Sequence, residues 1–254
     1  MRARVEILGV LVDNVDNQEA IWICRNIIEE KSNYNGNEIN SRNKMIITPN
    51  SEILLNASRN EALKQIFKDS ALVIPDGAGV VLASKILGRP LKERVAGVDL
   101  VKALLEIGTR RGYRFYFLGG THELAKKAET KLQEVYPGIQ IETHHGYFNM
   151  EEEEKIKQRL KEERFDVLLA GMGSPRQEKW LQENLANLNV SLGVGVGGSF
   201  DVLVGDKKRA PLVMQKLYLE WLYRLLQEPR RIWRMKALPI FLMKVGFEKF
   251  RELL

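Results

Sequence analysis

One cysteine in 254 residues, Cys24, excludes an intrachain disulfide and suits a reducing compartment. Its neighbours Ala20, Ile23, Ile27 and Ile28 make it a small core residue of a helix rather than a reactive thiol. No apolar run reaches the roughly 20 residues of a membrane span, because Arg, Lys, Glu and Pro interrupt each candidate. The stretch from Met1 to Val15 alternates charge with short apolar pieces, which predicts a first strand and not a signal peptide. Three motifs are missing as well. Gly9-Val10-Leu11-Val12-Asp13 stands where a Rossmann dehydrogenase would carry G-x-G-x-x-G, there is no Walker A lysine, and no D-x-D occurs to bridge a diphosphate through a metal. Histidine is scarce too, at three residues, and adjacent His144 and His145 on a strand would face opposite ways, so no metal site is expected. His122 reads as a cap or a surface residue.

What is present is an alternation. Val5 to Val12, Met45 to Thr48, Leu72 to Ile74, Phe115 to Leu118, Ile139 to Thr143, Val167 to Ala170 and Leu192 to Val196 are short, apolar and β-rich. Patterned helices lie between them, among them Asp16 to Lys31, Val98 to Arg111, Glu123 to Tyr136 and Glu151 to Glu163. That order predicts an α/β fold, a Rossmann-like, largely parallel sheet flanked by helices, with ligands at the carboxyl ends of the strands. The Asn-rich segment 32–44 lacks periodicity and reads as a surface loop.

Charge divides the chain. Residues 205–254 hold 12 Lys+Arg against 5 Asp+Glu, a net +7, while the whole chain is +6. A near-neutral α/β domain over 1–204 is therefore expected, followed by a basic, aromatic-rich helical appendage over 205–254. Pro211 opens a dense helix from Leu212 to Gln227, whose polar positions Lys216, Glu220 and Arg224 form one narrow stripe and whose apolar remainder must pack on something. Beyond it, Arg230-Arg231-Ile232-Trp233-Arg234-Met235-Lys236 interleaves bases with bulky apolar groups, which suits anionic lipid better than nucleic acid.

Four strand ends carry turns fit for chemistry. Gly119-Gly120-Thr121 opens a helix N-terminus after one strand. Gly171-Met172-Gly173 leads into Ser174, Pro175 and Gln177, which match a helix cap, first position and N3. Gly195-Val196-Gly197-Gly198 lets backbone approach a ligand closely, with Asp201 just beyond. Together they favour a phosphate or nucleotide cleft. The fourth end, Pro75-Asp76-Gly77, reads equally as turn chemistry or as a rigidly held general base. Asn50, after Thr48-Pro49, reads as a helix cap or a substrate ligand.

Taken jointly, several motifs support a family. Thr48-Pro49-Asn50-Ser51-Glu52, Pro75-Asp76-Gly77-Ala78-Gly79, Arg94-Val95-Ala96-Gly97-Val98-Asp99-Leu100, Gly146-Tyr147-Phe148, Ser174-Pro175-Arg176-Gln177-Glu178-Lys179-Trp180, Gly195 to Asp201, Arg209-Ala210-Pro211 and Leu219-Glu220-Trp221-Leu222-Tyr223-Arg224-Leu225 occur in order. The chain so resembles the WecG/TagA/CpsF glycosyltransferases from about residue 5 to about residue 240; the Asn-rich loop departs from that family's shorter connection.

The resemblance implies an inverting, metal-independent enzyme without a cofactor. It would move N-acetylmannosamine from UDP-N-acetylmannosamine, β-1,4, to N-acetylglucosaminyldiphosphoundecaprenol, in wall teichoic acid linkage-unit synthesis. It also implies Asp76 as general base, with Thr48, Asn50, Arg94 and Gln177 lining the cleft. Tyr147 and Asp201 would be uridine ligands. Gly119, Gly120, Gly173, Gly197 and Gly198 would shape the donor site, and Arg224, Arg231 and Arg234 would meet the leaving group or the membrane. Expected partners are a UDP-sugar donor, a lipid-linked acceptor, an anionic membrane surface on the cytoplasmic side and a second copy of the chain, with no nucleic acid. Rival readings are UDP-N-acetylmannosaminuronate or a UDP-hexose as donor, and a lipid- or nucleic-acid-binding module.

Overall fold

The opening β-rich run reverses on itself. Leu8 and Gly9 both take left-handed backbone, with φ of 52 and 75, as a tight two-residue hairpin turn requires. The expected single strand from Val5 to Val12 is therefore an antiparallel pair, β1 (Arg4–Ile7) and β2 (Val10–Asp13). Asp13 at its end is fully buried, accepting from Arg4 Nε at 2.9 Å and from the Val73 N–H at 2.8 Å. One carboxylate thus joins the hairpin to the main sheet.

The computed structural model describes residues 2–32, 44–205, 209–217, 219–229 and 232–252. Residues 33–43, most of the Asn-rich segment, lie outside the described residues. After the hairpin come α1 (Asn17–Ser32), β3 (Met45–Ile47), α2 (Ser51–Ala57), α3 (Glu61–Asp69), β4 (Leu72–Val73), α4 (Ala78–Ile86) and α5 (Gly97–Arg111). The middle of the chain forms β5 (Arg114–Gly119), α6 (His122–Val135), β6 (Gln140–His144), α7 (Met150–Glu162) and β7 (Phe165–Gly171). There follow α8 (Arg176–Asn184), β8 (Val190–Gly195) and α9 (Ser199–Leu203). The C-terminal segment holds α10 (Leu212–Lys216), α11 (Glu220–Gln227), α12 (Ile232–Met235) and α13 (Ala237–Glu252).

The sheet is parallel throughout, in the order β4-β3-β8-β7-β5-β6. Strand alternation sends side chains to two cores. In β5, Phe115 and Phe117 join the layer of α1, α5, α6 and α9, while Tyr116 and Leu118 join the layer of α2, α3, α4, α7 and α8. In β7, Val167 and Leu169 part from Leu168 and Ala170 in the same way. Because every strand runs the same way, all six carboxyl ends emerge along one edge.

The final helix belongs to the body's packing. Phe241 and Val245 of α13 are fully buried among residues of α2 and α4. At its far end Glu248 accepts the Leu8 N–H at 3.0 Å and Lys249 Nζ donates to the Leu87 carbonyl at 3.1 Å. The expected continuous helix from Leu212 to Gln227 is instead two pieces, broken between Lys216 and Glu220. The break accompanies an inversion. Glu220 is buried and Arg224 half-buried against the body, while Leu212, Val213, Leu217 and Leu226 face solvent. Arg94 of the body holds Glu220 inward, and Glu220 in turn holds Arg224, against the usual preference for packing the apolar face.

Asp13→Ala strands the Val73 N–H and should lower stability by about 2 kcal/mol, since a hydrogen bond to a charged group is lost from a buried site. Urea unfolding of the variant and the parent measures it; an unchanged midpoint would contradict the role given to this carboxylate.

Candidate active site

Asp76 follows β4, where two backbone segments run side by side. The Val95 N–H donates to the Pro75 carbonyl at 3.1 Å, and the Gly97 N–H donates to Asp76 Oδ1 at 3.0 Å. Arg94 Nε donates to the Asp76 carbonyl at 2.6 Å. The carboxylate is held from both its own backbone and its oxygen, so its direction is set before any substrate arrives. Neighbouring atoms crowd it while one edge still reaches the pocket. Burial pushes its carboxyl above the ordinary aspartate range, against the pull of Arg94, the Gly97 hydrogen bond and Arg224.

The turn after β3 closes against this one. Asn50 caps α2, its Oδ1 accepting the Ile53 N–H at 3.0 Å, so the capping alternative is realised. A Cβ on Gly77 would come within 3.2 Å of the Asn50 backbone, which explains glycine there. Asn50 also lines a pocket of about 180 Å³ with Asp76, Arg94, Glu220, Trp221 and Arg224. Met235, Ala237 and Leu238 bring α12 and α13 to the same wall.

Glu220 is the member that sequence reasoning missed. Only 4% exposed, it accepts from Arg94 Nη2 at 2.8 Å and from Arg224 Nη2 at 3.1 Å. Burial works against its charge, and the Arg94 charge and hydrogen bond, with Arg224 and Arg209, outweigh that and hold its carboxyl below the ordinary range. A second contact ties the appendage down: both terminal nitrogens of Arg209 meet the Asp99 carboxylate, the Nη2–Oδ2 bond at 2.6 Å. The signal in the sequence was the one carboxylate of residues 212–227, four residues before Arg224.

Thr48 and Gln177 lie under the neighbouring turns. Thr48 Oγ1 donates to the Gly195 carbonyl at 2.7 Å. Gln177 is 2% exposed; its Oε1 accepts the N–H groups of Gly173 at 3.2 Å and Gly197 at 3.1 Å, and its Nε2 donates to Glu178 at 2.9 Å. The expected capping box at Ser174 is therefore absent. Helix α8 begins one residue later, at Arg176, with no side-chain cap, because Gln177 bridges the two glycine turns instead.

Those turns are contiguous. A Cβ on Gly119 would meet the Gly171 backbone at 2.6 Å, and one on Gly146 would meet Gly119 at 3.1 Å. The Gly146 N–H donates to the Gly120 carbonyl at 2.9 Å, and Gly120, Gly173 and Gly197 take positive φ. Glycine is thus required along the ends of β5, β7 and β8, and side-chain-free backbone lines that part of the sheet's carboxyl edge. Gly198 precedes the short α9, whose first turn holds half-buried Asp201; Tyr147 projects beyond β6 at 74% exposure. His144 and His145 do not face opposite ways, since β6 stops at His144; their rings lie 4.3 Å apart, with His122 5.5 Å from His145. Burial and His144 hold His145 below the ordinary histidine range. Arg231 lies outside the described residues, as do the Arg234 side chain and residues 206–208.

The arrangement is a crowded carboxylate facing two guanidiniums at one end of a row of strand termini, with glycine turns along the rest; Asn50, Asp76, Arg94 and Arg224 share the pocket, while Thr48, Gln177, the glycines of those turns, Tyr147 and Asp201 are not part of its lining. The description "Glycosyl transferase WecG/TagA/CpsF family" matches residues 5–253. An N-acetylglucosaminyldiphosphoundecaprenol N-acetyl-beta-D-mannosaminyltransferase of Staphylococcus aureus strain MW2 is 36% identical over 247 residues, covering 97% of this chain and 94% of the relative. Proteins of the same name from strains NCTC 8325 and MRSA252 match at the same identity and coverage. With the matched region spanning the body and the appendage alike, the chain belongs to the WecG/TagA/CpsF family of glycosyltransferases.

Proposed function

We infer that the protein transfers N-acetylmannosamine, with inversion, from UDP-N-acetylmannosamine to N-acetylglucosaminyldiphosphoundecaprenol. The observation that carries this reading is Asp76, fixed by Gly97 and Arg94 at the mouth of a pocket that Arg224 also lines. The Asp76 carboxylate takes the proton from the acceptor hydroxyl as that oxygen attacks the anomeric carbon of the donor. The new C–O bond forms on the face opposite the breaking bond, and UDP leaves with the electron pair of the old one. A single displacement of this kind inverts the centre. Charge building on the departing diphosphate needs a cationic counterweight, and with no D-x-D in the chain, arginines suit that task. Arg224 is the candidate for it. The glycine turns, Tyr147 and Asp201 form the donor's nucleotide end, while Thr48 and Gln177 hold the turns that shape it.

The names of the staphylococcal relatives support the acceptor and the sugar. The body over 1–204 then binds the donor, and the appendage over 205–254 closes the site and rests on the cytoplasmic face of the membrane. No helix among the described residues is long and apolar enough to cross a bilayer. The outward Leu212, Val213, Leu226 and Trp233, at 67–72% exposed, are instead suited to lie in a lipid interface beside the tail's basic residues. Each such cation contributes about 1 kcal/mol near an anionic surface. The same apolar face offers a contact for a second copy away from lipid.

Asp76→Asn should leave UDP affinity near that of the parent and lower kcat by about 10²–10⁴-fold. In the parent, activity should be present above the Asp76 pKa and lost as pH falls through it, at a point above the ordinary aspartate range. A variant with parental turnover would remove Asp76 from the base role. Competition among UDP-N-acetylmannosamine, its uronate and UDP-hexoses, with a lipid-linked acceptor, should favour the first; preference for another sugar would revise the donor. Replacing Leu212, Val213 and Leu226 by serine should weaken flotation with anionic vesicles at least about tenfold, given the apolar area withdrawn. Turnover of a water-soluble acceptor should persist, and undiminished flotation would move the lipid contact elsewhere.

A further inference from the structure

Glu220 poses a physical question that its contacts answer. A buried ion pair is weak ground for stability, because apolar packing would seat a helix on the body as well or better. Helix α11 has apolar residues in plenty, yet Leu226 faces solvent and a carboxylate is turned inward. That carboxylate is shared by two guanidiniums of different origin, Arg94 from the body and Arg224 from the appendage. Both belong to the pocket that holds Asp76. Arg94 is also the group that grips the Asp76 carbonyl.

The charges around Asp76 can be laid out from each element packed against it. Arg94 precedes α5; Glu220 and Arg224 lie on α11; Glu52 lines the pocket from α2. Arg209, ahead of α10, is held by Asp99 of α5, and that pair is formally neutral. Asp76, Glu220, Arg94 and Arg224 likewise cancel. Remove Glu220 and the pocket loses one negative charge, leaving Asp76 and Glu52 with both guanidiniums, an environment that favours the ionised Asp76 more strongly and so weakens it as a base.

We propose that Glu220 is a positioning residue of the transfer reaction, holding Arg94 and Arg224 at their stations and balancing their charge so that Asp76 retains its strength as a base. The inference rests on the reading of Asp76 as base. Burial is the main upward influence on the Asp76 carboxyl, and Glu220 adds a smaller one in the same direction, opposite to both arginines. The appendage would thus do more than cover the pocket, since its docking delivers an anion together with a cation.

The test compares full-length parent, Glu220→Gln, Glu220→Asp and Asp76→Asn, with a UDP-sugar donor and a lipid-linked acceptor, as kcat/KM against pH at fixed ionic strength. Glu220→Gln should lower kcat about tenfold or more with the donor KM little changed. Its acid limb should move to lower pH by about half a unit or more, because the neutral amide no longer offsets the arginines. Glu220→Asp keeps the charge on a shorter arm, so its acid limb should stay with the parent's while kcat falls. An acid limb in Glu220→Gln that coincides with the parent's overturns the proposal, whatever happens to rate or stability. If Glu220→Gln does not fold, a shifted acid limb in Glu220→Asp overturns it instead. Parental activity in Asp76→Asn would strike down the base reading, an outcome distinct from both.

Discussion

Arg94 donates in two directions at once, and the active site depends on it. Its Nε holds the Asp76 carbonyl and its Nη2 holds Glu220, so one planar group connects the turn after β4 to a helix residue 126 positions beyond Arg94 itself. A lysine could not substitute, because a single ammonium lacks the fixed fork that meets two acceptors on different sides. Through this group the Asp76 carboxylate and the appendage's inward carboxylate share one environment. The second tie, from Arg209 to Asp99, anchors the start of the appendage to α5, the helix whose first N–H also binds Asp76. Body and tail therefore meet at the chemistry itself.

The parallel sheet supplies the other constraint. Six strand ends at roughly 4.8 Å spacing put Asp76 and Tyr147 on the order of 24 Å apart along one edge. An extended ligand laid across that edge passes the ends of β3, β8, β7 and β5 in turn. There the structure has backbone packed against backbone, with Gly119 on Gly171 and Gly146 on Gly119. A methyl group at Gly119 would force two strands apart. Gln177 secures the row from beneath by bonding to two of its turns, which makes it part of that edge.

Much of this was legible in the chain. The alternation of β-rich runs and patterned helices predicts the parallel sheet, and the glycine turns and Asp76 do fall at its carboxyl edge, as the topology requires. What escaped the sequence has identifiable causes. Val5 to Val12 has the composition of one strand, and its reversal hangs on the backbone of Leu8 and Gly9, where no Asn-Gly signal stands. Ser174, Pro175 and Gln177 have the spacing of a cap, but spacing cannot show that a glutamine has two glycine N–H groups within reach. Periodicity likewise finds the polar stripe of the tail and cannot say which way it faces, because hydrophobic patterning assumes that the partner is an apolar core. Here the partner is Arg94.

That inversion has a consequence for the appendage as a whole. With Glu220 turned to the body, α11 leaves Trp221 and Leu226 exposed and Leu222, Tyr223 and Leu225 only half-buried, and water alone does not favour such an arrangement. Leu212, Val213, Leu217 and Leu226 remain uncovered beside Trp233, over whose ring Lys236 sits at 4.0 Å. The ion pairs at Glu220 fix the direction of α11 and with it the exposure of Leu226, while Leu212 and Val213 are exposed on α10 and Leu217 just after it. A surface that covers that face without competing for Arg94 and Arg224 would stabilise the docked tail, since it removes apolar area from water while leaving the inner contacts intact. An anionic lipid surface fits both requirements, taking the leucines and tryptophan into its interface and the surrounding lysines and arginines at its headgroups. In this view closure of the pocket and residence at the membrane are linked, because the same helix orientation serves each.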